Sequence, residues 1–259
     1  MDEPKTTKND VNTKLDYRIL VLIAAGAIGL QIALNLGLDD PEKFDMIDIV
    51  YLLGSLSCAI SAFLVSRHYS DSEIFAKAYF FLGLGFSLWF VGDGVWMYYK
   101  HILHMEPYPS LADFFYLILY FPIIAHLVIN TRYFKRKWDF KTKIWLIVLP
   151  IVIVGIYSYL LYQGNAKQDI VFYYSLTIVT TSATTLALAI FGASVFRSSI
   201  LGTVWLLLAI GLSIVTFADV WYYYANVFGP TEINHPTTTL YILSNMVVVY
   251  ALYKHQRIF

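Results

Sequence analysis

Charge is scarce in this chain. Only 14% of its 259 residues are Asp, Glu, Lys or Arg, while 58% are hydrophobic and 17% aromatic. At a mean hydropathy of +0.61 it is too apolar for a water-soluble domain of this length, and a lipid bilayer is the implied solvent. The 18 basic and 18 acidic residues cancel, so no net charge draws nucleic acid or an acidic partner. Cysteine is almost absent. Cys58 stands alone inside an apolar run, which excludes an intramolecular disulfide or a cysteine metal cluster and makes it a small packing residue. There is no Walker loop, dinucleotide glycine fingerprint, His-Glu-x-x-His or Gly-x-Ser-x-Gly elbow, which argues against ATP-driven and zincin chemistry. The late apolar runs hold no lysine before Lys254, which argues against bound retinal. No cofactor is expected.

What the chain has is long uncharged runs. A hydrocarbon core of roughly 30 Å needs about 20 apolar helical residues. Eight runs qualify: Ile19 to Leu36, Ile47 to Val65, Ala78 to Tyr99, Leu111 to Ile129, Ile144 to Leu161, Ile170 to Phe196, Ile200 to Tyr224 and Thr238 to Tyr253. The fold expected is therefore an all-α polytopic transmembrane bundle of eight spans. Lys and Arg are retained in the cytoplasm, and an inside amino terminus puts 15 of the 18 there, leaving Lys43, Lys100 and Lys167 outside. The loop from Asn130 to Lys143 alone carries six. Both termini are expected on the cytoplasmic side of a cell membrane. The polar leader 1–17 precedes a run longer than a signal-peptide core, so the first span is expected to be retained. Past Tyr253 only six residues follow, so any output is expected to be intramembrane or supplied by another polypeptide.

Sliding the sequence against itself by 126 positions aligns Leu82 with Leu208, Gly85 with Gly211, Ser87 with Ser213, Asp93 with Asp219 and Tyr98 with Tyr224. Trp96 meets Tyr222, and Pro109-Ser110 faces Pro236-Thr237 after one inserted residue. The expectation is two four-helix halves, 18–134 and 135–259, forming one membrane domain. Because four is even, they would be parallel repeats about an axis along the membrane normal.

The shared acids are the leading site candidates. Asp93 lies about 15 residues from the cytoplasmic start of its run, or about 22 Å along a helix, in the outer third of the bilayer. An ionised Asp near the middle of a span costs roughly 2.5 to 3.5 kcal/mol, so it normally faces a partner, a cavity or water. Trp96, Tyr98 and Tyr99 follow the first acid, and Trp221 to Tyr224 the second. These aromatics suit an interfacial belt, but Trp96 and Tyr222 each sit three residues beyond their acid, on its face. The candidate ligand-binding set is Asp93, Trp96, Tyr98, Asp113, Asp219, Tyr222 and Tyr224. Gly83, Gly85, Gly92 and Gly94 allow close approach of a helix or ligand to the third run.

Asp113 has a second reading. In Pro109-Ser110-Leu111-Ala112-Asp113 the serine can cap the fourth helix and the acid can answer its backbone dipole. His101, His104 and His235 lie in outer loops without metal-ligand spacing, and no metal is expected. His126 is expected to hydrogen-bond a neighbouring helix. Pro122 and Pro150 are candidates for kinks.

Gly92-Asp93-Gly94-Val95-Trp96, then Tyr108-Pro109-Ser110-Leu111-Ala112-Asp113-Phe114-Phe115-Tyr116-Leu117 and Tyr120-Phe121-Pro122, resemble a pattern in the polytopic membrane sensor regions of bacterial diguanylate cyclases and histidine kinases. The resemblance implies a non-enzymatic module that detects a small or membrane-borne signal, here without a fused output domain. A separate cytoplasmic signalling protein, a second copy of the chain and membrane lipids are the partners it suggests. Gly92-Asp93, and Ala218-Asp219 more loosely, are also similar to the acid pairs of eight-helix lysoplasmalogenase-type membrane hydrolases. That similarity implies Asp93 and Asp219 as catalytic groups acting on a lipid ether or ester. A structural subunit of a membrane complex is the third expectation.

Overall fold

A computed structural model describes residues 15–35, 41–105, 107–135, 138–229 and 235–258. Most of the polar leader, and Arg136 and Lys137 of the basic loop, lie outside the described residues. The chain is helical: α1 (Tyr17–Asn35), α2 (Pro41–His68), α3 (Glu73–Met97), a π-helical turn (Tyr98–Ile102), α4 (Leu111–Ile118), α5 (Tyr120–Phe134), α6 (Phe140–Gln163), α7 (Ile170–Phe196), α8 (Gly202–Phe228) and α9 (Pro236–Gln256). No strand occurs among the described residues.

Among the described residues six stretches are long and apolar enough to cross a membrane: α2 from Met46, α3 with its π turn, α4 and α5 together, α6, α7 and α8. This is a multi-pass helical membrane protein. Its apolar side chains point outward as well as inward, and Ile147, Ile151, Ile156 and Tyr159 of α6 are all exposed, as lipid-facing residues are. Six of the eight expected runs thus meet this measure of length and composition among the described residues. The apolar part of α1, Tyr17–Ala33, is short. α9 is interrupted by Thr237, Thr238, Ser244 and Asn245, all of which are buried against α2 and α8. Its polarity is turned inward, where Ser244 donates to the Gly211 carbonyl of α8 at 3.0 Å instead of facing lipid.

Local signals set the helix ends. Ser110 and Asp113 form a complete capping box at α4. Asp169 accepts from the backbone N–H groups of Val171 and Phe172 at α7. Pro236 occupies the first turn of α9 behind the His235 cap. The expected fourth run comprises α4 and α5, which meet at Leu119, three residues ahead of Pro122; the proline's missing N–H removes one rung of the ladder, while Leu119 itself keeps helical dihedrals (φ −57°, ψ −28°). Pro150, by contrast, lies inside an unbroken α6, so the kink expected there is not a break.

α3 and α8 are central. α3 packs on α2, α4 and α5, and α8 on α7 and α9. Cross-packing joins these groups, α2 against α9 and α7 against α5. Gly85 and Gly211 make two of these contacts possible. A Cβ at Gly85 would stand 2.6 Å from Ile123 Cγ1 of α5, and one at Gly211 2.7 Å from Val248 Cγ2 of α9. Cys58 is fully buried, its Sγ 3.5 Å from the carbonyl of Asn245, as a packing residue.

Candidate ligand-binding cavity

Asp93 and Asp219 line one cavity of about 630 Å³. It lies between the C-terminal parts of α3 and α8 and is lined further by α2, α4, α5, α7 and α9, with Lys100, His104, Met105 and Pro107 at its rim. Both acids are buried, at 6% and 4% exposure, and both are held by hydroxyl groups from neighbouring helices.

The two sets of hydrogen bonds match. Ser55 Oγ of α2 donates to Asp93 Oδ2 at 2.7 Å, and Ser182 Oγ of α7 donates to Asp219 Oδ2 at 2.5 Å. Tyr116 of α4 donates to Asp93 Oδ1 at 3.0 Å, and Tyr241 of α9 donates to Asp219 Oδ1 at 2.8 Å. In each case a serine comes from the helix before the acid and a tyrosine from the helix after it. Gly92 makes room for one of these rings, since a Cβ there would lie 2.7 Å from Tyr116 Cε1. Asp219 has one further partner, the Tyr120 hydroxyl of α5. Thr216 donates to the backbone carbonyl of Ser182 at 3.2 Å, steadying α7 against α8.

Aromatic rings form much of the remaining wall. Tyr241 is the hub, its centroid 6.0 Å from that of Trp89, 6.2 Å from Tyr51 and 6.3 Å from Tyr222. Trp89 stands four residues before Asp93, Trp96 three after it, and Tyr222 and Tyr223 three and four after Asp219, and all four line the cavity. That is the spacing that keeps side chains on one helical face. Near the rim Lys100 Nζ lies 2.5 Å from Asp48 Oδ2, and His101 Nε2 lies 2.8 Å from the same oxygen. The π turn carries both basic residues to α2.

Of the expected site residues, Asp93, Trp96, Asp219 and Tyr222 meet at this cavity and three do not line it. Tyr98 is 51% exposed on the π turn, and Tyr224 packs its ring 5.1 Å from Phe228. Each is five residues from its acid, about 140° around a helix and off its face. Asp113 is used in the cap: its Oδ2 accepts from Ser110 N at 2.6 Å, and its carbonyl accepts from the Tyr174 hydroxyl at 2.7 Å. His126 is buried away from the cavity with its Nδ1 3.0 Å from the Ala78 carbonyl, the interhelical bond expected of it. No group of three or more His, Cys, Asp or Glu side chains is placed to hold a metal among the described residues.

The sequence reading missed Ser55, Ser182, Tyr116, Tyr120 and Tyr241. The first two are ordinary serines in apolar helices, without a local signal. Tyr116 and Tyr120 had one, since they fall inside the motif that carried the resemblance, at the cavity end of their span; Tyr241 had none. Comparison of the chain with protein-family models, curated proteins and solved structures finds no match.

Proposed function

We propose that this protein is a membrane-embedded ligand-binding module of the sensor type, with its site in the cavity shared by Asp93 and Asp219. One observation carries the reading: two acids 126 positions apart in sequence line the same cavity, each presented by a serine and a tyrosine hydroxyl. Burying two carboxylates in a membrane protein is costly, and a volume of about 630 Å³ is of the size that holds a small molecule. The resemblance to sensor regions of diguanylate cyclases and histidine kinases agrees with this. In the same proposal the chain crosses a cell membrane eight times, with α1 and α9 as the first and last spans and both termini cytoplasmic. It is built of two parallel four-helix repeats, and the matched hydroxyl partners of the two acids support the repeat.

The experiment is a thermal-shift screen of small molecules against the full chain in lipid nanodiscs. Compounds that stabilise the wild type are expected to lose their effect in Asp93→Asn and Asp219→Asn, while both variants keep the wild-type elution profile. Stabilisation that persists in both variants, or no stabilising compound at all, would overturn the proposal.

The common cavity also favours a second reading, an intramembrane lipid hydrolase of the lysoplasmalogenase type, in which one carboxylate acts as general base and the other as electrostatic stabiliser. Hydrolysis of a lysoplasmalogen by purified protein, abolished in the same two variants, would establish it.

A further inference from the structure

The charges around the cavity do not balance. Three carboxylates line it, Asp48, Asp93 and Asp219, against one ammonium group, Lys100. Lys100 is bound to Asp48, and among the described residues no ion pair reaches Asp93 or Asp219. An ionised carboxylate can accept about four hydrogen bonds. Asp93 is reached by the hydroxyls of Ser55 and Tyr116 and by the Trp89 indole, and Asp219 by Ser182, Tyr120 and Tyr241, so both keep capacity for one further donor.

The rest of the wall decides what that donor is. Eight of the 20 lining residues are Trp or Tyr, and the hydroxyls of Tyr116, Tyr120 and Tyr241 are already committed to the acids. What these side chains have left to offer a ligand is mainly ring surface. Ring faces carry negative electrostatic potential, and a cation among them is attracted most strongly where water is excluded. An anion would be repelled by both carboxylates, and a neutral ligand would leave them uncompensated in a low-dielectric setting.

We propose that the ligand of this cavity is an organic ammonium cation, its charge shared between Asp93 and Asp219 and its carbon substituents against the rings of Trp89, Trp96 and Tyr222. The inference rests on the ligand-binding reading above. The same chemistry is carried by free amines and by the headgroups of choline and ethanolamine lipids.

The test compares cations with neutral molecules of the same shape on the full chain in nanodiscs of phosphatidylglycerol alone, read by the fluorescence of the wall tryptophans. Choline is paired with dimethylbutanol, and putrescine with butanediol. At least one cation is expected to bind saturably and about tenfold or more tighter than its neutral partner, and Asp93→Asn or Asp219→Asn is expected to erase that difference. Repeating the titration in phosphatidylcholine discs separates the sources. Weakened choline binding there identifies a headgroup as occupant, and unchanged binding identifies the free amine, both in support of the proposal. Equal binding of cation and neutral partner overturns the ammonium inference, as does absence of binding by both cations. The wild-type comparison needs no variant to fold. The stabilising compounds of the wider screen report on the pocket itself, so the ligand-binding reading can stand where the ammonium inference falls.

Discussion

Lys100 Nζ and Asp48 Oδ2 are joined at 2.5 Å, tying the π turn after α3 to α2 at the edge of the cavity. Asp48 is 8% exposed and Lys100 28%, so the pair lies between an exposed bridge of little worth and a buried one. Lys100→Met leaves His101 as the remaining basic neighbour of Asp48. We expect about 1 kcal/mol of lost stability in a detergent thermal melt, less of it at high salt. A melt equal to wild type would show that the pair contributes nothing.

Tyr116 and Tyr120 are four residues apart, on either side of Leu119, and serve different acids. Changing either to Phe removes one hydroxyl donor from a buried carboxylate, for about 1 to 3 kcal/mol each. Because the two stand one turn apart on the same helical stretch, their effects are expected to couple. A double-mutant cycle should give about 0.5 kcal/mol or more of interaction, and simple additivity would show that the two acid sites are independent.

Asp113 and Ser110 cap α4 together. Ser110→Ala should cost about 1 kcal/mol without changing the affinity of any compound that binds the cavity. A change in affinity comparable to that of Asp93→Asn would return Asp113 and its neighbours to the binding site.

His235 caps α9 through Nδ1, which takes the Thr237 backbone N–H at 3.4 Å. Burial holds the imidazole below its ordinary value of 6.5. A group lowered on folding stabilises the folded state above its unfolded pKa and loses that contribution as pH falls through its folded one. The first turn of α9 should therefore loosen as pH drops below about 6.5, when the protonated ring can no longer accept. Hydrogen exchange of the amides from Thr237 to Leu240 checks this. His235→Asn, an acceptor at every pH, should remove the difference after correction for intrinsic exchange, and persistence of the difference in that variant would exclude the histidine.

The apolar runs were legible because lipid imposes length and polarity on each span separately, without reference to its neighbours. Asp93, Asp219, Trp96 and Tyr222 were legible for a related reason, since a buried acid is costly and a three-residue step keeps its companion on the same face. The same pattern misplaced Tyr98 and Tyr224, because proximity in sequence was carried two residues beyond the face that the helix can present. Asp113 satisfied two motifs at once, and its geometry serves the cap. Ser55, Ser182 and Tyr241 were illegible because their role depends on which helix lies alongside, which no single segment encodes. The last run is helical, but its Ser244 and Asn245 made sense only once they were seen turned towards α8 and α2, Ser244 donating to the Gly211 carbonyl at 3.0 Å.

Pro122 withdraws one N–H from the ladder, yet Leu119 keeps helical dihedrals (φ −57°, ψ −28°) and the bonds from Leu119 N to Phe115 O and from Ile123 N to Leu119 O stand at 3.1 and 3.4 Å. Tyr116 and Tyr120 therefore stay about one turn apart on one stripe, while the acids they reach belong to two different helices, α3 and α8. Anything that pries α3 from α8 must draw the same rod in two directions at once.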